Sequence, residues 1–228
     1  MKKAFLRALC LTAALMAAAA ASLNAQTEKT PEGLVYERNG QGITITGYTG
    51  KAAALVIPAK IEGLPVTSIG DGAFYNCTGL TSVIIPGSVT SIGDRAFAWC
   101  GGLTSVTIPT GVISIGDRAF SGCERLASVT ILKGVTFIGD SAFWECGSLT
   151  SVTILKGVTF IGDSAFYECG SLTSVTFEAG SRIGSGNFGD DGEYPPFPGD
   201  LRAQYLAQTG GAGTYTRPYG GDNWTKQP

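Results

Sequence analysis

Residues Leu103–Cys123 read LTSVTIPTGVISIGDRAFSGC, and the phrase returns along the chain at a fixed pitch. Its closing cysteine recurs at Cys77, Cys100, Cys123, Cys146 and Cys169, each 23 residues after the last. The coils Leu126–Ser148 and Leu149–Ser171 differ only at Ala127/Thr150 and Trp144/Tyr167. A pitch of about 20–50 residues means stacked supersecondary units, none of which can bury its apolar face alone. Most residues are therefore present because their coil needs them, and function is to be sought where the coils differ.

Within the phrase, Leu103, Val106 and Ile108 have the L-x-x-L-x-L spacing of a leucine-rich strand. Ser105 and Thr107 alternate to the outside. Pro109, which has no N–H to donate, ends the strand. Val112 and Ile115 turn inward again. Asp117 is placed to N-cap a short helical turn in which Ala119, Phe120 and Cys123 share a face. Stacking converts each position into a column, so Phe74, Phe97, Phe120, Phe143, Phe166 and Phe188 are expected to form a buried aromatic spine. The fold class is a β-rich solenoid of the right-handed type. It has about six 23-residue leucine-rich coils from Ala52 to Phe188, and a parallel sheet about 25 Å long at ~4.8 Å per strand.

An open stack needs sealed ends. Leu34–Thr46 alternates around Asn39-Gly40, a β-hairpin signal that makes residues 26–51 a linker and N-terminal cap. Ala59–Gly63 is an insertion in the first coil. After a Pro/Gly/Asp-rich loop, Gly189–Gly199, Asp200 is placed to N-cap a helix through Gln208. Leu201, Tyr205 and Leu206 would face the last coil, making 189–228 the C-terminal loop and capping helix.

Residues 1–25 read as a signal peptide: Lys2, Lys3 and Arg7 precede an apolar run, Leu9–Ala21, too short to span a bilayer. Cleavage is expected after Ala25, with the Ala19–Ala21 run as the alternative. The mature chain then holds 13 basic and 18 acidic groups, net −5. Such mild acidity argues against nucleic acid or an anionic membrane as a partner held by bulk charge. The expected product is a secreted, periplasmic or cell-surface protein, a monomer without a membrane span.

The phrase LTSVTIP with VTSIGDRAFAWC (Val89–Cys100) resembles the BspA-like leucine-rich repeats of bacterial surface proteins. The hairpin ending GYTG (Gly47–Gly50) and the tail pieces GAGTYTRP (Gly211–Pro218) and NWTK (Asn223–Lys226) are similar to that family's end pieces. The resemblance runs from Gly33 to Lys226. It implies a secreted or surface-displayed solenoid, some members being adhesins for host matrix proteins such as fibronectin and fibrinogen. Leu132 and Leu155 depart from the family pattern by replacing the strand-ending proline.

The chain has no histidine, which removes Ser-His-Asp and Cys-His nucleophiles and imidazole metal ligands. Phosphate- and dinucleotide-binding glycine motifs are absent as well. No enzyme activity, cofactor or metal is expected. A 23-residue ladder sets cysteines in a line instead of around a point, which argues for free, buried thiols over pairwise disulfides and against a metal. The aspartates at 71, 94, 117, 140 and 163 read as N-caps in preference to calcium ligands. The serine and threonine columns, which could form a binding face, are also what an exposed strand carries.

The two near-identical coils break the pattern together. Lys133 and Lys156 enter a column of small residues, Phe137 and Phe160 replace serines, and Trp144 and Tyr167 follow the spine phenylalanine. Grouped aromatics on a surface mark a partner-binding patch; a recent duplication copying its parent, or an inward-facing Phe137 column, would explain them otherwise. The reading that follows is a non-catalytic protein-binding module, adhesin-like for a host matrix protein. The alternative is a periplasmic or envelope assembly protein with a bacterial partner.

Overall fold

The structure, a computed structural model, describes residues 27–40, 42–179, 195–207 and 211–228. The proposed signal peptide and Phe188 lie outside these. Each coil has three sides. The first side carries strands β4 (Ala54–Val56), β7 (Ser82–Ile84), β9 (Ser105–Ile108), β11 (Ser128–Ile131), β13 (Ser151–Ile154) and β15 (Ser174–Phe177). The second carries β6 (Leu64–Ile69), β8 (Ser91–Ile92), β10 (Ser114–Ile115), β12 (Phe137–Ile138) and β14 (Phe160–Ile161), all in parallel register. In β9, β11 and β13 valine and isoleucine point into the core and serine and threonine point out, and in β12 and β14 isoleucine points in and phenylalanine out.

The third side corrects the expected helical turn. It is a run of turns in which the N–H groups of Arg118, Phe120 and Gly122 reach Asp140, Ala142 and Trp144 of the next coil, while those of Ala119, Ser121 and Cys123 close turns within their own coil. Two residues per turn segment adopt left-handed backbone, for example Arg95 (φ 53°) and Trp99 (φ 62°). For residues with a Cβ this costs about 1–2 kcal/mol each, tolerated because the neighbouring coil fixes these amides. The aspartates are not N-caps. Asp71 Oδ1 accepts the N–H of Asp94 at 2.9 Å, and the relay continues through Asp117, Asp140 and Asp163 at the same distance.

The aromatic spine is buried and stacked, with ring centroids 4.8–5.2 Å apart from Phe74 through Phe97, Phe120 and Phe143 to Phe166. The ring beyond Phe166 is Phe197, at 4.9 Å. The Phe166 N–H donates to the Pro196 carbonyl, as Phe143 does to Ala165. Pro196-Phe197 thus imitates the Ala-Phe of a further coil. At the other end Tyr48 tilts onto Phe74 at 5.5 Å.

Both ends are closed by strands. Strands β1 (Glu28–Lys29), β2 (Leu34–Asn39) and β3 (Gly42–Tyr48) extend the second side, β3 running parallel to β6. The Ala59–Gly63 insertion is a small hairpin, β5 (Lys60–Ile61) against β6, turning at Glu62 and Gly63, both with positive φ. At the C-terminal end β16 (Gly213–Thr216) runs antiparallel to β15, followed by β17 (Thr225–Lys226). The helix is a minor part of this seal: α1 spans only Leu201–Leu206, burying Leu201 and Tyr205 while Leu206 is exposed. Asp200 makes no side-chain cap; it accepts from the Trp224 N–H at 2.7 Å instead. Arg217, which the repeat pattern does not reveal, is buried: its backbone N–H donates to the Thr173 carbonyl, as Thr173 does to Thr150 one coil earlier, and its guanidinium donates to the Leu172, Cys169 and Gly221 carbonyls.

The first side is interrupted once. Strands β4-β7-β9-β11 form one ladder and β13-β15-β16-β17 another. The gap lies between the two near-identical coils, beside Leu132 and Leu155. The Leu132 N–H donates to Ile108 O at 3.0 Å, a bond the proline of other coils cannot make. The interruption opens a cleft of about 380 Å³ lined by Val129–Lys133, Thr153 and Leu155.

Two outcomes follow. Phe120→Ala is expected to cost about 3–5 kcal/mol in denaturant melts, the range for truncating a fully buried aromatic; a loss below about 0.5 kcal/mol, typical of a surface position, would remove the spine from the core. The sequence Ser-Val-Thr-Ile occurs in β9, β11 and β13 alike, so hydrogen exchange can compare identical segments. The amides of Ser105 and Val106 in β9, paired on both sides, should be protected. The gap-facing amides of β11 and β13 should exchange faster, and equal protection would contradict the break.

Candidate functional site

The six divergent residues divide between two sides and a corner of the coil. Phe137 and Phe160 occupy the outward positions of β12 and β14, whose inward partners are Ile138 and Ile161. Their rings stack at 4.8 Å with 4° between planes, and Phe137 is 39% exposed. The column points outward and does not enlarge the core. Lys133 and Lys156 sit, exposed, at the corner between the first and second sides. The Lys156 backbone N–H is held by Glu178 Oε2 at 2.9 Å.

Trp144 and Tyr167 lie on the third side, half-buried, following the spine residues Phe143 and Phe166. The Trp144 ring meets Trp99 edge-on at 6.4 Å between centroids. Trp99 was not singled out by the comparison of coils 126–148 and 149–171, because it belongs to an earlier coil; the signal that finds it is its column, Asn76–Trp99–Gly122–Glu145–Glu168. A Cβ placed on Gly122 would lie within 3 Å of the Trp99 indole. The bare glycine is what lets that ring lie across the next coil towards Trp144. Gly122 itself is left-handed at φ 70°, so any side chain there would be strained as well as crowded.

Carboxylates neighbour these aromatics. Burial, the adjacent Glu168, and Glu124 raise the Glu145 carboxyl above its ordinary value. Among the described residues no ion pair involves Glu124, Glu145 or Glu168.

The cysteine column is a thiol ladder. Cys100, Cys123, Cys146 and Cys169 are fully buried, and each Sγ donates to a spine carbonyl of the preceding coil, Phe74, Phe97, Phe120 and Phe143, at 3.1–3.3 Å. All five are unpaired thiols. Burial pushes Cys123 and Cys169 up to about 12. Cys77 has no repeat coil before it. It is half-buried in a hollow of about 290 Å³ beside Tyr48 and Lys51, its thiol lowered by the neighbouring Cys100 side chain. Among the described residues no three acidic or sulfur side chains are grouped to hold a metal ion.

The comparisons with known proteins agree with this geometry. A profile described as "BspA type Leucine rich repeat region" matches in six copies over residues 67–191. The chain belongs to the BspA-type leucine-rich repeat family. A Treponema pallidum leucine-rich repeat protein of known structure is 29% identical over 70% of this chain and 92% of its own, with a TM-score of 0.55. A leucine-rich cell surface protein from Faecalibacterium prausnitzii is 30% identical over 72% of this chain and 57% of its own, with a TM-score of 0.45. The pneumococcal vaccine antigen PcpA, at 17% identity over 72% of this chain and 53% of its own, shares the fold with a TM-score of 0.54. No curated protein matches.

The thiol ladder generates an expectation. In native protein, alkylation should modify Cys77 alone, because the other four are buried and poorly ionised; after unfolding every thiol should react. Modification of Cys123 or Cys146 at the same rate as Cys77 would show that the column is open.

Proposed function

We propose that this chain is an exported, non-catalytic protein-binding solenoid, adhesin-like, whose partner is a host matrix protein engaged by the divergent coils 126–171. The observation that carries the reading is the outward Phe137–Phe160 stack, Phe137 being 39% exposed beside a strand that needs only serine there. Paired aromatics held rigid by a ladder contribute contact area at low entropic cost, and such anchors commonly dominate interface energy. Lys133 and Lys156 at the adjoining corner supply cations to the rim of the same surface. Membership of a repeat family found in bacterial surface proteins supports both the binding role and a location outside the cytoplasm. No helix among the described residues is long and apolar enough to cross a membrane.

The test is a binding titration of the mature chain against immobilised matrix proteins by surface plasmon resonance, with intact-cell surface labelling to establish display. Phe137→Ser and Phe160→Ser combined with Trp144→Ala and Tyr167→Ser should weaken binding by about tenfold or more, about 1.4 kcal/mol per decade. The fold should survive, because other coils carry serine (Ser91, Ser114, Ser121) or alanine (Ala98) at the same positions. Thr130→Val with Thr153→Val, on the first side, should change little. Loss of binding in the valine pair with the aromatic set harmless would move the site to the strand face. Labelling confined to lysed cells would favour an envelope assembly role.

A further inference from the structure

The third side carries a second, chemically distinct part of this surface. We infer that the aromatic and acidic platform formed by Trp99, Trp144, Glu124, Glu145 and Glu168 docks a lysine- or arginine-bearing extended segment of the protein partner, an inference that rests on the protein-binding reading above.

The geometry begins with one column. Trp99, Gly122, Glu145 and Glu168 succeed one another coil by coil, tied by the hydrogen bonds Gly122 N–H to Trp144 O and Glu145 N–H to Tyr167 O. The Trp99 indole, 39% exposed, spreads over the vacancy at Gly122 and meets the edge of Trp144. The two carboxylates of the same column follow immediately, and Glu124 adds a third. An indole face is the best side-chain acceptor for a cation, and adjacent carboxylates match the charge the indole cannot neutralise.

Charge decides the occupant. Burial disfavours charge on Glu145, and Glu168 and Glu124 both repel it. The nearby columns offer them no relief. Arg95 and Arg118 belong to earlier coils, and in the two coils carrying Glu145 and Glu168 the same position holds Ser141 and Ser164. Arg125, next to Glu124, forms no ion pair. A neutral sugar stacked on Trp99 would leave the repulsion in place. An ammonium or guanidinium group removes it while covering the indole. A ladder of coils running in one direction also suits an extended segment, which can place successive cations along the column.

The experiment uses the mature full-length chain and three probes: a short unstructured lysine-rich peptide, its fully acetylated twin, and a neutral oligosaccharide. Tryptophan fluorescence and calorimetry read the binding. The lysine peptide should bind, weaken steeply with salt, and tighten as pH rises through and above the ordinary carboxylate range. Acetylation should cost about tenfold or more. Glu145→Gln with Glu168→Gln should cost a similar factor and flatten the pH profile; Trp99→Ala should weaken binding while circular dichroism stays unchanged. Phe137→Ser with Phe160→Ser should leave the peptide's affinity unaltered. Equal binding of the acetylated twin, binding of the oligosaccharide alone, or no response to the lysine peptide would each overturn the inference. If Phe137→Ser with Phe160→Ser alone, without the Trp144 and Tyr167 changes, still weakens binding in the matrix-protein titration, the protein-binding reading survives without it.

Discussion

The described solenoid depends on one constraint: backbone and side-chain hydrogen bonds between neighbouring coils must recur with a period of 23 residues. Strand ladders satisfy it on two sides, and on the third the turns satisfy it with alternate amides. Side chains reinforce the same step. Asp71, Asp94, Asp117 and Asp140 accept from the aspartate N–H one coil on, and the hydroxyls of Thr90, Thr104 and Thr159 donate to the threonine carbonyl one coil back. Because each bond is short-range in space and repeats at the same pitch, a deletion or insertion of one residue would break several at once. The single insertion, at Ala59–Gly63, survives by closing on itself as a hairpin and leaving the pitch untouched.

The same constraint makes the ends difficult. A last coil presents carbonyls that its successor would have filled, and buried carbonyls without donors cost about 1–3 kcal/mol each. The chain answers with a mimic: Pro196-Phe197 supplies the missing ring and acceptor, β16 the missing strand, and the Arg217 backbone N–H the missing donor to the Thr173 carbonyl, while its guanidinium ties down Leu172 and Cys169. Trp224 covers the guanidinium at 5.2 Å, and its indole N–H bonds back to Pro198.

The pitch, the core columns and the hairpin were legible because they rest on repetition and alternation, which a sequence displays directly. The third side was not. Its left-handed residues include Arg95, Trp99, Arg118, Ser141 and Glu145, none of which announces positive φ; only Gly72, Asn76 and Gly122 hint at it. An aspartate before such a segment looks like an N-cap, since both roles accept a backbone N–H; the donor, here 23 residues away, is what differs. The ring that stacks on Phe166 was not legible: Phe188, the one the spacing suggests, lies outside the described residues, and Phe197 reaches the column through a Pro-Pro segment that follows no repeat. The divergent residues were individually legible, but their distribution over two sides and a corner, and the involvement of Trp99, required the coil's shape.

That distribution bears on how such a scaffold acquires specificity. A repeat whose core and amides are fixed leaves outward columns free to vary one coil at a time, and neighbouring coils then adapt to one another. Trp99 and Gly122 are an instance: the large ring is accommodated because the next coil lacks a side chain there. Ser141 and Ser164 standing where Arg95 and Arg118 stand earlier, beside the incoming Glu145 and Glu168, are another. Both changes shift the third side from cationic to acidic and aromatic without altering a core residue or an inter-coil bond. The doubling of coil 126–148 repeats its outward residues at adjacent heights, which turns one phenylalanine into the Phe137–Phe160 stack and one glutamate into a repelling pair. Repetition that is neutral for the core is therefore strongly non-neutral for the surface, because it concentrates like side chains about one strand spacing apart.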